Sequence, residues 1–92
     1  MGLPDADELL LKAHIMHAIN SEIKRRKLTQ AVAGKLVGLA QPDLSRIANG
    51  RGSGFSTERL FAALRNLGCD IEIVISQANG PIGALRLRQL AG

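Results

Sequence analysis

Apolar residues recur every three or four positions over the first third of the chain, which predicts a helix from about Ala6 to Lys27. Asp5 and Glu8 have the spacing of a capping box at its start. Two apolar stripes lie side by side along this helix. The first holds Leu9, Ala13, Met16, Ile19 and Ile23, and the second holds Leu11, Ile15 and Ala18. We expect one stripe to cover the core and the other to stay exposed, as a candidate partner surface.

Two shorter helices joined by a sharp corner are predicted between residues 28 and 50. Gly34 allows them to approach closely, and Gly38 can take the positive φ that ends a helix in a tight turn. The expected core positions are Ala33, Val37, Leu39, Leu44 and Ile47. Apolar positions on one side of both helices and of the corner form the pattern of a helix-turn-helix.

A fourth helix is predicted after Ser56, whose hydroxyl can cap it, with Phe55 and Leu60 placed as a hydrophobic staple. Gly68 is expected to end this helix. Its core side consists of Leu60, Phe61, Leu64 and Leu67.

Apolar and polar residues alternate from Asp70 to Ile75, which predicts a β-strand with Ile71, Ile73 and Ile75 on one face. An isolated strand exposes unpaired backbone groups. We therefore expect it to pair antiparallel with the same strand of a second copy, which makes these isoleucines the dimerisation residues of a homodimer.

The 92 residues are expected to form one domain. Residues 1–5 are predicted to be a loose N-terminus, residues 6–76 a helix-turn-helix domain for DNA binding and dimerisation, and residues 77–92 a tail. The tail could return as a strand, bind a partner or be disordered. Because Pro81 and several glycines interrupt it, flexibility is the favoured interpretation.

Positive charge is concentrated on the helix-turn-helix. Residues 23–51 hold seven Lys and Arg against one Asp, a net charge of +6, whereas the whole chain carries +4. Such a concentration is typical of a phosphate-binding surface. Phe55 and Phe61 are the only aromatic residues, so a stacking platform for single strands is missing and double-stranded DNA is the favoured target.

Polar side chains stand where a helix would read a DNA groove. Arg46 can pair bidentately with a guanine and Gln41 with an adenine, while Gln30 and the basic run 24–27 can hold phosphates. That run also suits the dipole at the end of the first helix, so a purely structural role stays open. The candidate DNA-binding residues are Lys24, Arg25, Gln30, Ala40, Gln41, Pro42, Ser45, Arg46 and Arg51.

The segments Leu28-Thr29-Gln30 and Gln41-Pro42-Asp43-Leu44-Ser45-Arg46 resemble the phage-repressor and Cro-like family, also called XRE, and within it the small HigA-type antitoxins. The resemblance covers roughly residues 6–76. It implies a mainly α, lambda-repressor-like bundle of about four helices with one C-terminal strand. It further implies that the chain represses its own toxin-antitoxin operon and neutralises a toxin, usually an mRNA-cleaving ribonuclease.

Three positions depart from that family. Ala40 stands where the family usually has Ser or Thr, so the recognition helix lacks a capping hydroxyl, at a cost of about 1 kcal/mol. Val32 replaces a Glu that would close a capping box with Thr29, and Asn49 replaces a frequent Arg. A second function therefore stays open, namely a protein-binding module in which the helix-turn-helix is only a scaffold and Val32 and Leu36 belong to the partner surface.

Other chemistry finds little support in the sequence. No nucleophile and base recur at a recognisable spacing, so we expect neither an enzyme nor a cofactor. His14 and His17 lack further ligands at matching spacing, and we interpret them as surface or interface residues without metal. The single Cys69 indicates a reduced, cytoplasmic setting. Apolar runs are far shorter than the ~20 residues of a membrane span, so no membrane association is expected.

Overall fold

Four helices make up the regular structure of the chain in a computed structural model, which describes residues 6–52 and 54–90. They are α1 (Ala6–Arg25), α2 (Gln30–Val37), α3 (Gln41–Ala48) and α4 (Thr57–Asn66). The prediction of a mainly α fold with about four helices is confirmed. The residues predicted as a loose N-terminus, 1–5, lie outside the described part of the chain.

Each helix is followed by a residue with positive φ, and these residues are Lys27 (54°), Gly38 (73°), Gly50 (71°) and Gly68 (85°). Helix α1 ends at Arg25, two residues before its predicted end, and Lys27 forms the turn behind it. The N–H of Leu28 bonds to the carbonyl of Ile23 at 3.0 Å, which is the closing hydrogen bond of a Schellman motif. A lysine in the left-handed conformation carries no signal in the periodicity, which explains the error.

The buried face of α1 combines both predicted stripes, so the expectation that one of them would stay exposed is wrong. Its buried residues are Leu11, Ile15, Met16, Ala18 and Ile19. Leu9 and Ala13, at the N-terminal end of the first stripe, are exposed. Because α1 packs on both α3 and α4, its buried face is wider than a single stripe.

The corner between α2 and α3 forms as the two glycines predict. Gly34 is buried, and a Cβ at this position would stand 3.0 Å from the carbonyl oxygen of Leu39, so only glycine fits without a shift. Gly38 has the left-handed conformation and its N–H bonds to the carbonyl of Gly34. Of the predicted core residues, four are buried and Leu39 is partly buried against them.

The segment after α4 forms no strand with any described residue, so the strand predicted over residues 70–75 is not confirmed in the single chain. A strand needs a hydrogen-bonded neighbour, and one copy supplies none here. Pairing with a second copy stays a prediction. Farther along, the N–H of Leu85 donates to Asp7 Oδ2 at 3.3 Å and Leu87 packs on the core, so part of the tail lies along α1.

Candidate nucleic-acid interface

The two faces of α3 differ sharply in character. Leu44 and Ile47 are buried in the core. Four of the predicted DNA-binding residues stand on the rest of the helix, and they are Gln41, Pro42, Ser45 and Arg46. Gln41 and Pro42 are exposed, whereas Ser45 and Arg46, one turn later, are partly exposed. Residues four apart share a helix face, so the structure brings these side chains together on one accessible surface.

The first turn of α3 is capped only by its backbone. Ala40 has the extended conformation of an N-cap residue and makes no side-chain hydrogen bond, as the sequence predicts. Pro42 lies in the first turn, where a missing N–H costs nothing. Asp43 places a carboxylate in the same turn, where the helix dipole favours negative charge. The free N–H groups of this turn remain available to an anion such as a phosphate.

The N-terminus of α2 presents a second possible phosphate contact. Thr29 caps this helix, because its hydroxyl accepts a hydrogen bond from the N–H of Val32 at 3.2 Å. Gln30, the first residue of α2, is exposed. The cap therefore forms although the Glu of a capping box is absent. Thr29 fixes the direction of the first turn and so positions Gln30 at the rim of the helix-turn-helix.

The last turn of α3 is fixed by backbone hydrogen bonds. The N–H of Arg51 bonds to the carbonyl of Arg46 at 2.8 Å, and the N–H of Gly50 bonds to the carbonyl of Ile47 at 3.0 Å. These two bonds form a Schellman motif, which holds the exposed Arg51 directly behind the helix. The side-chain amide of Asn49 donates a hydrogen bond of 2.9 Å to the carbonyl of Ser45. Asn49, which stands where the resembled family frequently has Arg, thus closes the end of α3.

Arg46 lies close to Asp43 and to the ring of Phe55. Its Nη1 lies 3.8 Å from Asp43 Oδ1, one turn earlier on α3. Its guanidinium carbon lies 5.0 Å from the centroid of the Phe55 ring, which is within the range of a cation–π interaction. Arg59 of α4 mirrors this arrangement, at 3.6 Å from Asp43 Oδ2 and 5.1 Å from the same ring. Arg46 thus belongs to a cluster of Asp43, Arg46, Phe55 and Arg59.

The DNA-binding residues that the sequence predicts do not include Asp43, Phe55 or Arg59. Phe55 was predicted as a staple for α4, and it is buried with Leu60 as a staple requires. The hydroxyl of Ser56 accepts a hydrogen bond from the N–H of Arg59, so the cap positions that arginine. One sequence signal could have identified the cluster. Phe55 is one of only two aromatic residues in the chain, and the aspartate and both arginines of the cluster lie within twelve positions of it.

The basic run at the end of α1 is partly engaged within the chain. Arg25 donates to the carboxylate of Glu22 three residues earlier, and this hydrogen bond holds the pKa of Glu22 below its ordinary value. Arg26 donates to the main-chain carbonyl of Leu67 at 2.6 Å and so caps the end of α4. Lys24 is exposed. Arg26 therefore has a structural role at the end of α4, which differs from the dipole role considered for this run. Phosphate contact by Lys24 and Arg25 stays a prediction.

The predicted dimerisation residues follow α4 and differ in exposure. Ile71 is partly buried against the core, but Ile73 is 74% and Ile75 92% exposed.

The thiol of Cys69 has its pKa raised by burial, which makes it a weaker nucleophile. Within the described ranges, no helix is long and apolar enough to cross a membrane.

Comparison with known proteins places this geometry in a family. Residues 1–76 match the helix-turn-helix domain family HTH_37. The fold is also similar to a solved structure described as "Putative XRE Family Transcriptional Regulator", with a TM-score of 0.83 and 38% sequence identity. That match covers 97% of this chain and 100% of the other. A search of curated proteins finds no match.

Proposed function

Because the chain belongs to the helix-turn-helix domain family HTH_37, we propose that it is a sequence-specific repressor that binds double-stranded DNA as a homodimer. The observation that carries this proposal is the accessible face of α3, where Gln41, Ser45 and Arg46 stand opposite two buried residues. An α-helix fits the major groove, and these side chains are of the types that read base edges.

The phosphate contacts of the proposed complex come from the rim around α3. Gln30 at the start of α2 and Arg51 behind α3 are both exposed, and each is held by the cap or turn next to it. Lys24 and Arg25 extend the same positive charge. Such contacts fix the register of the protein on the duplex, while the α3 side chains choose the sequence.

The dimer is supported by the segment that follows α4. Ile73, Val74 and Ile75 expose most of their side chains in the single chain, which is unfavourable in water. Antiparallel pairing of residues 70–75 with a second copy satisfies both sets of backbone groups. In a two-fold dimer that binds one side of the duplex, the two recognition helices must lie about 34 Å apart, which is the spacing of successive major grooves.

The antitoxin role is the more specific part of the proposal, and it rests on the resemblance to HigA-type sequences. In this role the chain represses its own operon and neutralises a toxin of the mRNA-cleaving ribonuclease type. It performs no catalysis itself and uses no cofactor, and its setting is cytoplasmic.

A second candidate function is protein binding without DNA. Val32 and Leu36 stand four residues apart on α2 and are 47% and 41% exposed, so they form a small apolar surface beside the recognition unit. Contact with a protein partner would remove these two side chains from water, which is favourable. The missing side-chain cap on α3 points in the same direction, because it weakens the element that would enter the groove.

Footprinting the purified chain on the DNA upstream of its own coding sequence tests the proposal. We expect two protected half-sites about one helical turn apart, and an affinity that falls steeply as salt is raised. Competition with unrelated duplex separates specific from general binding. Absence of any protected site, together with co-purification of a small partner protein, would favour the second candidate.

A further inference from the structure

We propose that Arg59 is a further DNA-contacting residue, and that Asp43 and Phe55 form a shared support that holds Arg46 and Arg59 side by side at the edge of α3. The inference rests on the proposed DNA-binding function and assigns new roles within that surface. Asp43 and Phe55 are positioning residues in it, because they act on DNA through the two arginines.

The geometry of the support is symmetric. The two oxygens of the Asp43 carboxylate face different arginines, Oδ1 towards Arg46 at 3.8 Å and Oδ2 towards Arg59 at 3.6 Å. Both guanidinium carbons lie about the same distance from one aromatic ring, 5.0 and 5.1 Å. Because α3, α4 and the segment between them each supply part of the cluster, the arrangement depends on the tertiary fold.

The charges of the cluster favour an additional anion. Two guanidinium cations face a single carboxylate, so the net charge is +1 at the place where α3 and α4 meet. Like charges held close together repel, and an approaching anion relieves that repulsion. The DNA phosphate has the geometry that a guanidinium group binds bidentately, and a duplex lying along α3 would supply it.

Arg59 keeps donors for DNA, because its 3.6 Å distance to Asp43 exceeds that of a direct hydrogen bond and a guanidinium group has five N–H donors. The side chains of Arg46 and Arg59 are 43% and 51% exposed, whereas Phe55 is buried. The ring and the carboxylate therefore limit the orientations of the arginines without removing them from solvent, which lowers the entropy lost on binding.

The position of each arginine divides their roles. Arg46 stands on the outward face of α3 and reads a base. Arg59 stands in the first turn of α4, where Ser56 caps the helix, and contacts a phosphate beside the groove. Asp43 controls specificity, because it keeps Arg46 pointing to its base and carries the negative charge that discourages unspecific attraction to phosphates.

Titration with two duplexes tests the assignment of Arg59. One duplex carries the sequence protected in the footprint, and the other is a scrambled duplex of the same composition. Arg59→Gln is expected to weaken both complexes equally and to lower the salt slope by about 0.9, the value of one lost phosphate contact. Arg65→Gln, at the other end of α4, is the matched control and should keep the slope. Equal slopes for the two variants overturn the assignment.

The same titration tests Asp43. Asp43→Asn removes a negative charge, so we expect tighter binding to scrambled DNA. Its preference for the protected sequence should fall by about fivefold, the lower end of what one bidentate base contact contributes. Glu58→Gln removes a neighbouring negative charge outside the cluster and should leave the preference unchanged. If Asp43→Asn changes the preferred base at a position other than the one that Arg46 reads, Asp43 itself contacts a base. That result would overturn its positioning role.

Two further variants keep the test decisive if Asp43→Asn folds poorly by circular dichroism. Asp43→Glu retains the carboxylate and is expected to restore most of the preference. Phe55→Leu retains an apolar core residue without an aromatic ring and is expected to lower the preference. An unchanged preference in Phe55→Leu overturns the support. Failure of the parent chain to distinguish the two duplexes would instead refute the proposed function, before any variant is compared.

Discussion

The side-chain amide of Asn20 donates a hydrogen bond of 3.0 Å to the main-chain carbonyl of Ile47, 27 residues farther along the chain. Asn20 lies on α1 and Ile47 in the last turn of α3. The bond therefore joins the longest helix to the end of the recognition helix, where carbonyls have no partner within the helix.

Replacement of Asn20 by Ala is expected to destabilise the fold by about 1 kcal/mol, the usual net value of one hydrogen bond. The loss stays small because the carbonyl of Ile47 also accepts from the N–H of Gly50. Urea unfolding measures the change. Asn66→Ala is the matched control, since its bond to the carbonyl of Val37 is longer, at 3.5 Å, and should matter less. A larger loss in the control would contradict this ranking.

Arg46→Ala is expected to weaken binding to the operator by about 1 to 3 kcal/mol and to relax the preference at one base pair per half-site. The reason is the loss of a bidentate contact to a base edge. Operator titration with single base-pair substitutions measures both effects. Equal losses on operator and on random DNA would show that Arg46 does not read a base.

Neutralising Lys24 and Arg25 together, as Lys24→Gln with Arg25→Gln, is expected to weaken binding to every sequence and to flatten the salt dependence. Phosphate contacts act through release of counterions, and about 0.9 of slope is lost for each contact removed. Binding measured over a series of salt concentrations gives the slope. Glu22→Gln provides a control with the opposite sign, because it frees Arg25 from its internal partner. An unchanged slope in the double variant would remove the run from the interface.

Ile73→Asp is expected to abolish both dimerisation and tight operator binding. A carboxylate on the face predicted to be buried between two copies has no partner there, which is strongly unfavourable. In the single chain Ile73 is exposed, so the fold of the monomer should survive. Sedimentation together with operator titration measures the result. A variant that stays dimeric, or a monomer that binds the full operator like the parent, would exclude this segment from the assembly.

Lys27→Gly is expected to stabilise the fold by about 0.5 to 1 kcal/mol. Lys27 has a φ of 54°, a conformation that costs an L-residue about 1 to 2 kcal/mol. Glycine removes this strain, but its larger entropy in the unfolded chain offsets about 0.5 to 1 kcal/mol of the stabilisation. Thermal unfolding measures the change. Gly68→Ala is the inverse experiment, since its φ of 85° should make the substitution destabilising. Stabilisation in both variants would show that backbone strain is not the cause.

Much of the helix-turn-helix could be predicted because its signals are local. The caps of Thr29 and Ser56 and the turn at Gly38 depend on residues at most five positions away. The outward residues of α3 follow from the positions of Leu44 and Ile47 on the same helix. Such features are set by backbone sterics and by hydrogen bonds within one or two turns, and these can be read directly from residue order.

The sequence by itself thus determined the four helices, the corner and the polar side chains on the outward face of α3. Only the tertiary structure decided which neighbours those side chains have. Arg59 reaches Asp43 from another helix, Arg26 caps α4 from the end of α1, and the buried face of α1 spans two stripes because two helices pack on it. These relationships join residues distant in sequence. They depend on the packing of helices in three dimensions, which hydrophobic periodicity does not specify.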